Sequence, residues 1–127
     1  MVDPRIFNLK CARYLGIDMS RIVEEMPVDK YGNYCNGNGD LDAEGNPCYK
    51  IWVHSLQYYY SWDHLMRVII AIEKQGYVVA LKGISYQIYR IMDEQNPIIS
   101  LVCGELNKKL EVTRELINLF LDKIENK

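Results

Sequence analysis

The segment Trp62–Gln75 constrains the fold more than any other part of the chain. Ser61 supplies a helix N-cap and Gly76 a left-handed stop. Between them Leu65, Met66, Val68, Ile69, Ile70 and Ile72 leave only a narrow polar strip at Asp63, Arg67 and Lys74. A helix this apolar predicts a central element that buries most of its circumference. At about 1.5–3 kcal/mol for each fully buried large side chain, it outweighs any single surface ion pair.

The elements around it follow from period and punctuation. Tyr77–Lys82, Ile84–Met92 and Ile98–Cys103 read as strands, separated by Gly83 and by Asp93-Glu94-Gln95-Asn96-Pro97. Connections this short make the three antiparallel neighbours. In the middle strand Ile84, Tyr86 and Ile88 alternate with Ser85 and Gln87, predicting one packed and one wetter face. From about Lys108 to Glu125 the period lengthens to that of an amphipathic helix, with Leu110, Thr113, Ile117, Phe120, Leu121 and Ile124 on its inner stripe.

Before the central helix, Asp3-Pro4 caps a helix expected to reach about Leu15, with Phe7, Cys11, Tyr14 and Leu15 on one face and Gly16 as its stop. Ile22, Val23 and Met26 predict a short second helix within Ile17–Met26, ended by Pro27. Tyr49–Tyr60, rich in aromatic and β-branched residues, predicts a strand with Trp52, His54, Leu56 and Tyr58 on one face. The order gives an α/β (α+β) domain over residues 1–127. Its expected form is an open, mainly antiparallel sheet of three to four strands covered by helices.

The segment 28–50 differs in character, being rich in Asn and Gly. It carries a near-repeat: Val28-Asp29-Lys30-Tyr31-Gly32-Asn33-Tyr34-Cys35 matches Leu41-Asp42-Ala43-Glu44-Gly45-Asn46-Pro47-Cys48 as aliphatic-Asp-x-x-Gly-Asn-x-Cys. Asp bonds backbone at the start of a turn and Gly accepts the positive φ after it, so both copies predict small hairpin tips.

Composition narrows the class. With 127 residues, 49% hydrophobic and 25% charged, the chain has the balance of a globular domain. A formal charge of −2 gives no general pull on phosphate backbones, so generic nucleic-acid binding is not expected. The longest apolar run, Val68–Ile72, is far shorter than a membrane span, and Met1–Lys10 lacks a signal-peptide pattern, so the expected place is the cytoplasm. There Cys11, Cys35, Cys48 and Cys103 are expected as free thiols.

Asn8-Leu9-Lys10-Cys11-Ala12-Arg13-Tyr14-Leu15-Gly16, Tyr59-Tyr60-Ser61-Trp62-Asp63-His64-Leu65-Met66 and Ile72-Glu73-Lys74-Gln75-Gly76-Tyr77 carry a resemblance, with a weaker echo in Lys109-Leu110-Glu111-Val112. In these words, over most of its length, the chain resembles the phage ABA sandwich domain family, small phage and prophage proteins common in gut Bacteroides-type genomes. The resemblance implies a helix–sheet–helix layered sandwich and, for a phage-encoded chain, the host cytoplasm. It carries over no activity and no catalytic residue.

Chemistry-bearing patterns are sparse. Asp40-x-Asp42-x-Glu44-Gly45 begins like a calcium loop, but Ile51 stands where the bidentate acid belongs, and a solvated hairpin tip is the plainer reading. Cys35, Cys48, His54 and His64 are soft ligands at spacings poor for zinc. Cys103 and His64, the latter read as exposed in the first turn of a helix, are formally a nucleophile and a base, without a nucleophile elbow or P-loop around them. No catalytic, cofactor or metal residue is therefore assigned. Of the ten tyrosines, Tyr31, Tyr34, Tyr58 and Tyr60 are the candidate partner-binding surface, since tyrosine offers contact area at little entropic loss. The expectation is a non-enzymatic interaction module with a protein partner and no cofactor. The alternatives are a nucleotide-like ligand binder, with a base on these rings and Arg13, Arg67 or Arg90 at its phosphate, and a hydrolase with an unrecognised site.

Overall fold

The structure is a computed structural model that describes residues 2–35 and 37–125. Helix α1 spans Pro4–Tyr14, with the Asp3 carboxylate accepting from the Ile6 amide at 3.0 Å and Pro4 at the first helical position. Gly16, at φ +83°, turns the chain out of it. Helix α2 spans Trp62–Lys74 behind a Ser61 cap, and α3 spans Lys109–Glu125. Strands β3 (Tyr77–Lys82), β4 (Ser85–Arg90) and β5 (Ile99–Val102) form an antiparallel meander in that order. Two earlier two-residue strands, β1 (Ile22–Val23) and β2 (Ile51–Trp52), pair in parallel. The fold is α+β, an antiparallel sheet packed against helices. No helix among the described residues is long and apolar enough to cross a membrane.

The register explains where the core lies. Leu81 pairs with Tyr86 and Tyr86 with Leu101; Val79 pairs with Ile88 and Ile88 with Ile99. These two rows share one face, where Tyr86 and Ile88 are buried and the edge residues pack against the core. Leu65, Val68, Ile69 and Ile72 of α2 and Leu116, Ile117, Phe120 and Leu121 of α3 meet this face, joined by Phe7 and Cys11 of α1. Thus α2 and α3 lie on the same side of the sheet. Val78, Ala80, Gln87 and Tyr89, which alternate with the core residues, are half-buried on the other.

Several local expectations are corrected. Ile17–Met26 holds no second α-helix: Asp18 accepts from the Ser20 amide (3.0 Å) and hydroxyl (2.7 Å), shaping a single 3-10 turn at Met19–Arg21 before β1. The expected strand Tyr49–Tyr60 shrinks to β2, because β1 offers it only two partners; a 3-10 turn at Val53–Ser55 follows. Ile84 is in the β3–β4 turn and 67% exposed, and β4 ends before Met92, whose φ of +68° turns the chain. On α2, Met66 and Ile70 are exposed, so the helix buries one broad stripe and not most of its circumference.

Candidate functional site

The two predicted hairpin tips form, and each is built by its own Asp. The Asp29 Oδ1 atom accepts from the Tyr31 and Asn33 amides at 2.9 and 3.0 Å; Asp42 Oδ1 accepts from Glu44 and Asn46 at 3.0 and 2.9 Å. Gly32 and Gly45 take positive φ at the matching positions, and bridges Val28–Tyr34 and Leu41–Pro47 close the two turns. The repeat in sequence is therefore a repeat in structure. The tips lean on one another: the Ala43 amide donates to the Val28 carbonyl at 3.1 Å, and the Cys35 thiol donates to the carbonyls of Asp40 (3.4 Å) and Leu41 (3.5 Å).

What holds this insert to the domain was not visible in the sequence. Arg21 donates from Nε to the Tyr49 carbonyl (2.7 Å) and from Nη2 to the Gly37 carbonyl (3.1 Å), clipping both arms of the insert to the 3-10 turn before β1. The Trp52 indole donates to the Glu24 carbonyl at 3.2 Å, and Tyr34 packs its ring 5.8 Å from that of Trp52. Partners this distant in sequence leave no local signal.

Between the tips lies a cleft of about 530 Å³, lined by Tyr31, Tyr34 and Leu41, by the acids Asp29, Asp40, Asp42 and Glu44, and by Lys30. Tyr31 is 76% exposed and Leu41 59%. A second depression of about 570 Å³ runs behind, where Glu24, Glu25 and Met26 face Asp42 and Glu44. From residue 24 to 50 the chain has six carboxylates (24, 25, 29, 40, 42, 44) against Lys30 and Lys50, a net −4 where the whole chain carries −2. The stretch from Glu24 through the insert thus holds more than the entire net negative charge, and the insert alone (28–50) holds −2, alongside exposed aromatic and aliphatic groups.

The four candidate tyrosines do not form one surface. Tyr31 and Tyr34 line the inter-tip cleft. Tyr58 is 6% exposed, belongs to the core, and is held above its ordinary pKa by burial. Tyr60 is exposed and packs on Tyr59, whose ring lies 3.8 Å under the Arg114 guanidinium near α1 and α3. Asn8 is buried there and doubly used, donating to the Leu56 carbonyl at 3.1 Å and accepting from the Tyr59 amide at 2.8 Å.

None of the hydrolase and nucleotide candidates His64, Cys103, Arg13, Arg67 and Arg90 lines the inter-tip cleft. His64 is half-buried against Tyr58 rather than exposed, while the Cys103 thiol is buried and donates to the Glu105 carbonyl at 3.3 Å. Arg13 pairs with Glu125 and Arg90 lies over Tyr77, while Arg67 is near enough to the candidate Tyr58 to favour its ionised form. Among the described residues no three His, Cys, Asp or Glu side chains gather as metal ligands, and the Asp42 oxygen of the calcium-like stretch is occupied by its own turn. The chain matches no family model, no curated protein and no solved structure.

Proposed function

We propose that the protein is a non-enzymatic interaction module whose two-hairpin insert grips a basic segment of a protein partner. The observation that carries this reading is the inter-tip cleft, lined by exposed Tyr31 and Leu41 and by four carboxylates, Asp29, Asp40, Asp42 and Glu44, against one cation, Lys30. Aromatic groups with an acidic rim suit the aliphatic stems and charged heads of Lys and Arg, and such rings approach cations favourably, as the chain's own Lys30 does over Tyr31 at 5.0 Å. The same rim opposes phosphates, which weighs against the nucleotide alternative. In the setting that the resemblance implies, the partner is a host or phage protein.

Binding of fluorescent Lys/Arg-rich peptides, followed by anisotropy at rising salt, tests this. The expected result is saturable binding that weakens with salt and falls at least ~30-fold in Tyr31→Ala/Tyr34→Ala, because even one anchoring aromatic contributes about 2 kcal/mol or more. Tyr31→Ala alone, at a side chain 76% exposed, should weaken binding and leave the melting midpoint near that of the parent, whereas the double variant also loses the packing of Tyr34 on Trp52. Peptides of either charge binding equally, or not at all, would remove the basis for the proposal.

A further inference from the structure

Cys35 and Cys48 end the two repeats at equivalent positions, and the fold brings them together. The Cys35 amide donates to the Pro27 carbonyl at 2.8 Å and the Cys48 amide to the Asp40 carbonyl at 2.7 Å, the same bond made by each copy. The Asp40 carbonyl also receives the Cys35 thiol at 3.4 Å, so one oxygen touches both cysteines. The Cys48 side chain is near enough to the Cys35 thiol to act on its ionisation. Both are enclosed, at 1% and 4% exposure. Cys11 and Cys103 stand apart, under α1 and beside Glu105 respectively. With no third ligand gathered among the described residues, the pair is a vicinal dithiol in space rather than part of a larger ligand set.

We propose that Cys35 and Cys48 form a reversible disulfide that locks the two hairpins together, made by exchange with a small-molecule disulfide of the oxidised glutathione class. One thiolate attacks the glutathione disulfide, forms a mixed disulfide and expels a glutathione thiolate. The second thiolate attacks the protein sulfur, closes the Cys35–Cys48 bond and expels the other glutathione. The protein loses two electrons and two protons, and one glutathione disulfide becomes two thiols. Both thiols being enclosed, the tips must part before either meets glutathione; burial foremost, then the Cys48 side chain, Asp40 and Asp42, also pushes the Cys35 thiol up to about 11, so the exchange is slow at neutral pH. This inference is independent of the partner reading.

The test incubates the folded chain with oxidised glutathione, alkylates remaining thiols, and maps the unreduced digest by mass spectrometry. The expected product is a Cys35–Cys48 cross-linked peptide in a chain lighter by two hydrogens. Its melting midpoint should rise and return on adding dithiothreitol. A stable glutathione adduct without ring closure, a cross-link through Cys11 or Cys103, or no cross-link in the folded chain would each overturn the proposal.

Discussion

A methyl group added at Gly37 would put its carbon 2.2 Å from the Lys50 carbonyl oxygen, so this glycine is required by close approach of two backbones and not by its φ. The obstacle is main chain, which cannot rotate away. Gly37→Ala is expected to cost about 1–3 kcal/mol, the range for overpacking a filled site, and to open the insert to protease. Gly104→Ala, which meets nothing within 4 Å, is the control and should leave the melting midpoint unchanged. Equal midpoints for the two variants would mean the arms do not meet as described. The same scale shows what sequence reading misses. Asp29 and Asp42 were legible because an Asx turn is made within four residues. Arg21 and Asn8 were not, because their partners lie 28 and 51 residues away.

Among elements, α2 gives the sharpest contrast between neighbours. Ile69 is 3% exposed and Ile70 47%. Ile69→Asp buries an unpaired carboxylate, a change of several kcal/mol against a total stability of about 5–15 kcal/mol, and is expected to unfold the chain. Ile70→Asp should stay within about 1 kcal/mol, as surface changes do. Circular dichroism melts of both variants check the placement; a folded Ile69→Asp would refute it. The meander, α2 and α3 were legible because their hydrophobic periods are long and their stops local. Tyr49–Tyr60 was not, since a strand needs a partner, and β1 offers only Ile22 and Val23. Its aromatic content served packing instead: Tyr58 fills the core, and Tyr59 packs against Phe7 and Arg114.

For the whole molecule, burial of acids in their neutral form sets an alkaline limit. Cys11 is pushed up to about 12 and Cys35 to about 11 from an ordinary 9.0, and Tyr14, Tyr58 and Tyr86 are raised from 10.0, burial being the first cause in each. A raised folded-state pKa favours the native chain fully below the unfolded value, and that contribution is lost as pH climbs through the folded one. The melting midpoint is therefore expected to hold up to about pH 9 and to fall steeply between about 9 and 12. A midpoint unchanged up to about pH 11 would contradict the burial of these groups. Asp18 has the opposite sign, lowered by the Ser20 hydroxyl and amide, but it is fully exposed and has little influence.

The parallel pairing of Ile22 with Ile51 and Val23 with Trp52 brings the two ends of the insert side by side. Topologically the segment is a side branch, since the main path of the chain resumes beside the place it left. Closing so short a gap with a few residues would not re-thread the sheet or its helices, and lengthening the branch twofold would cost only about 0.6 kcal/mol. The scaffold and its cargo can thus diversify separately, with new tips carried on an unchanged trunk.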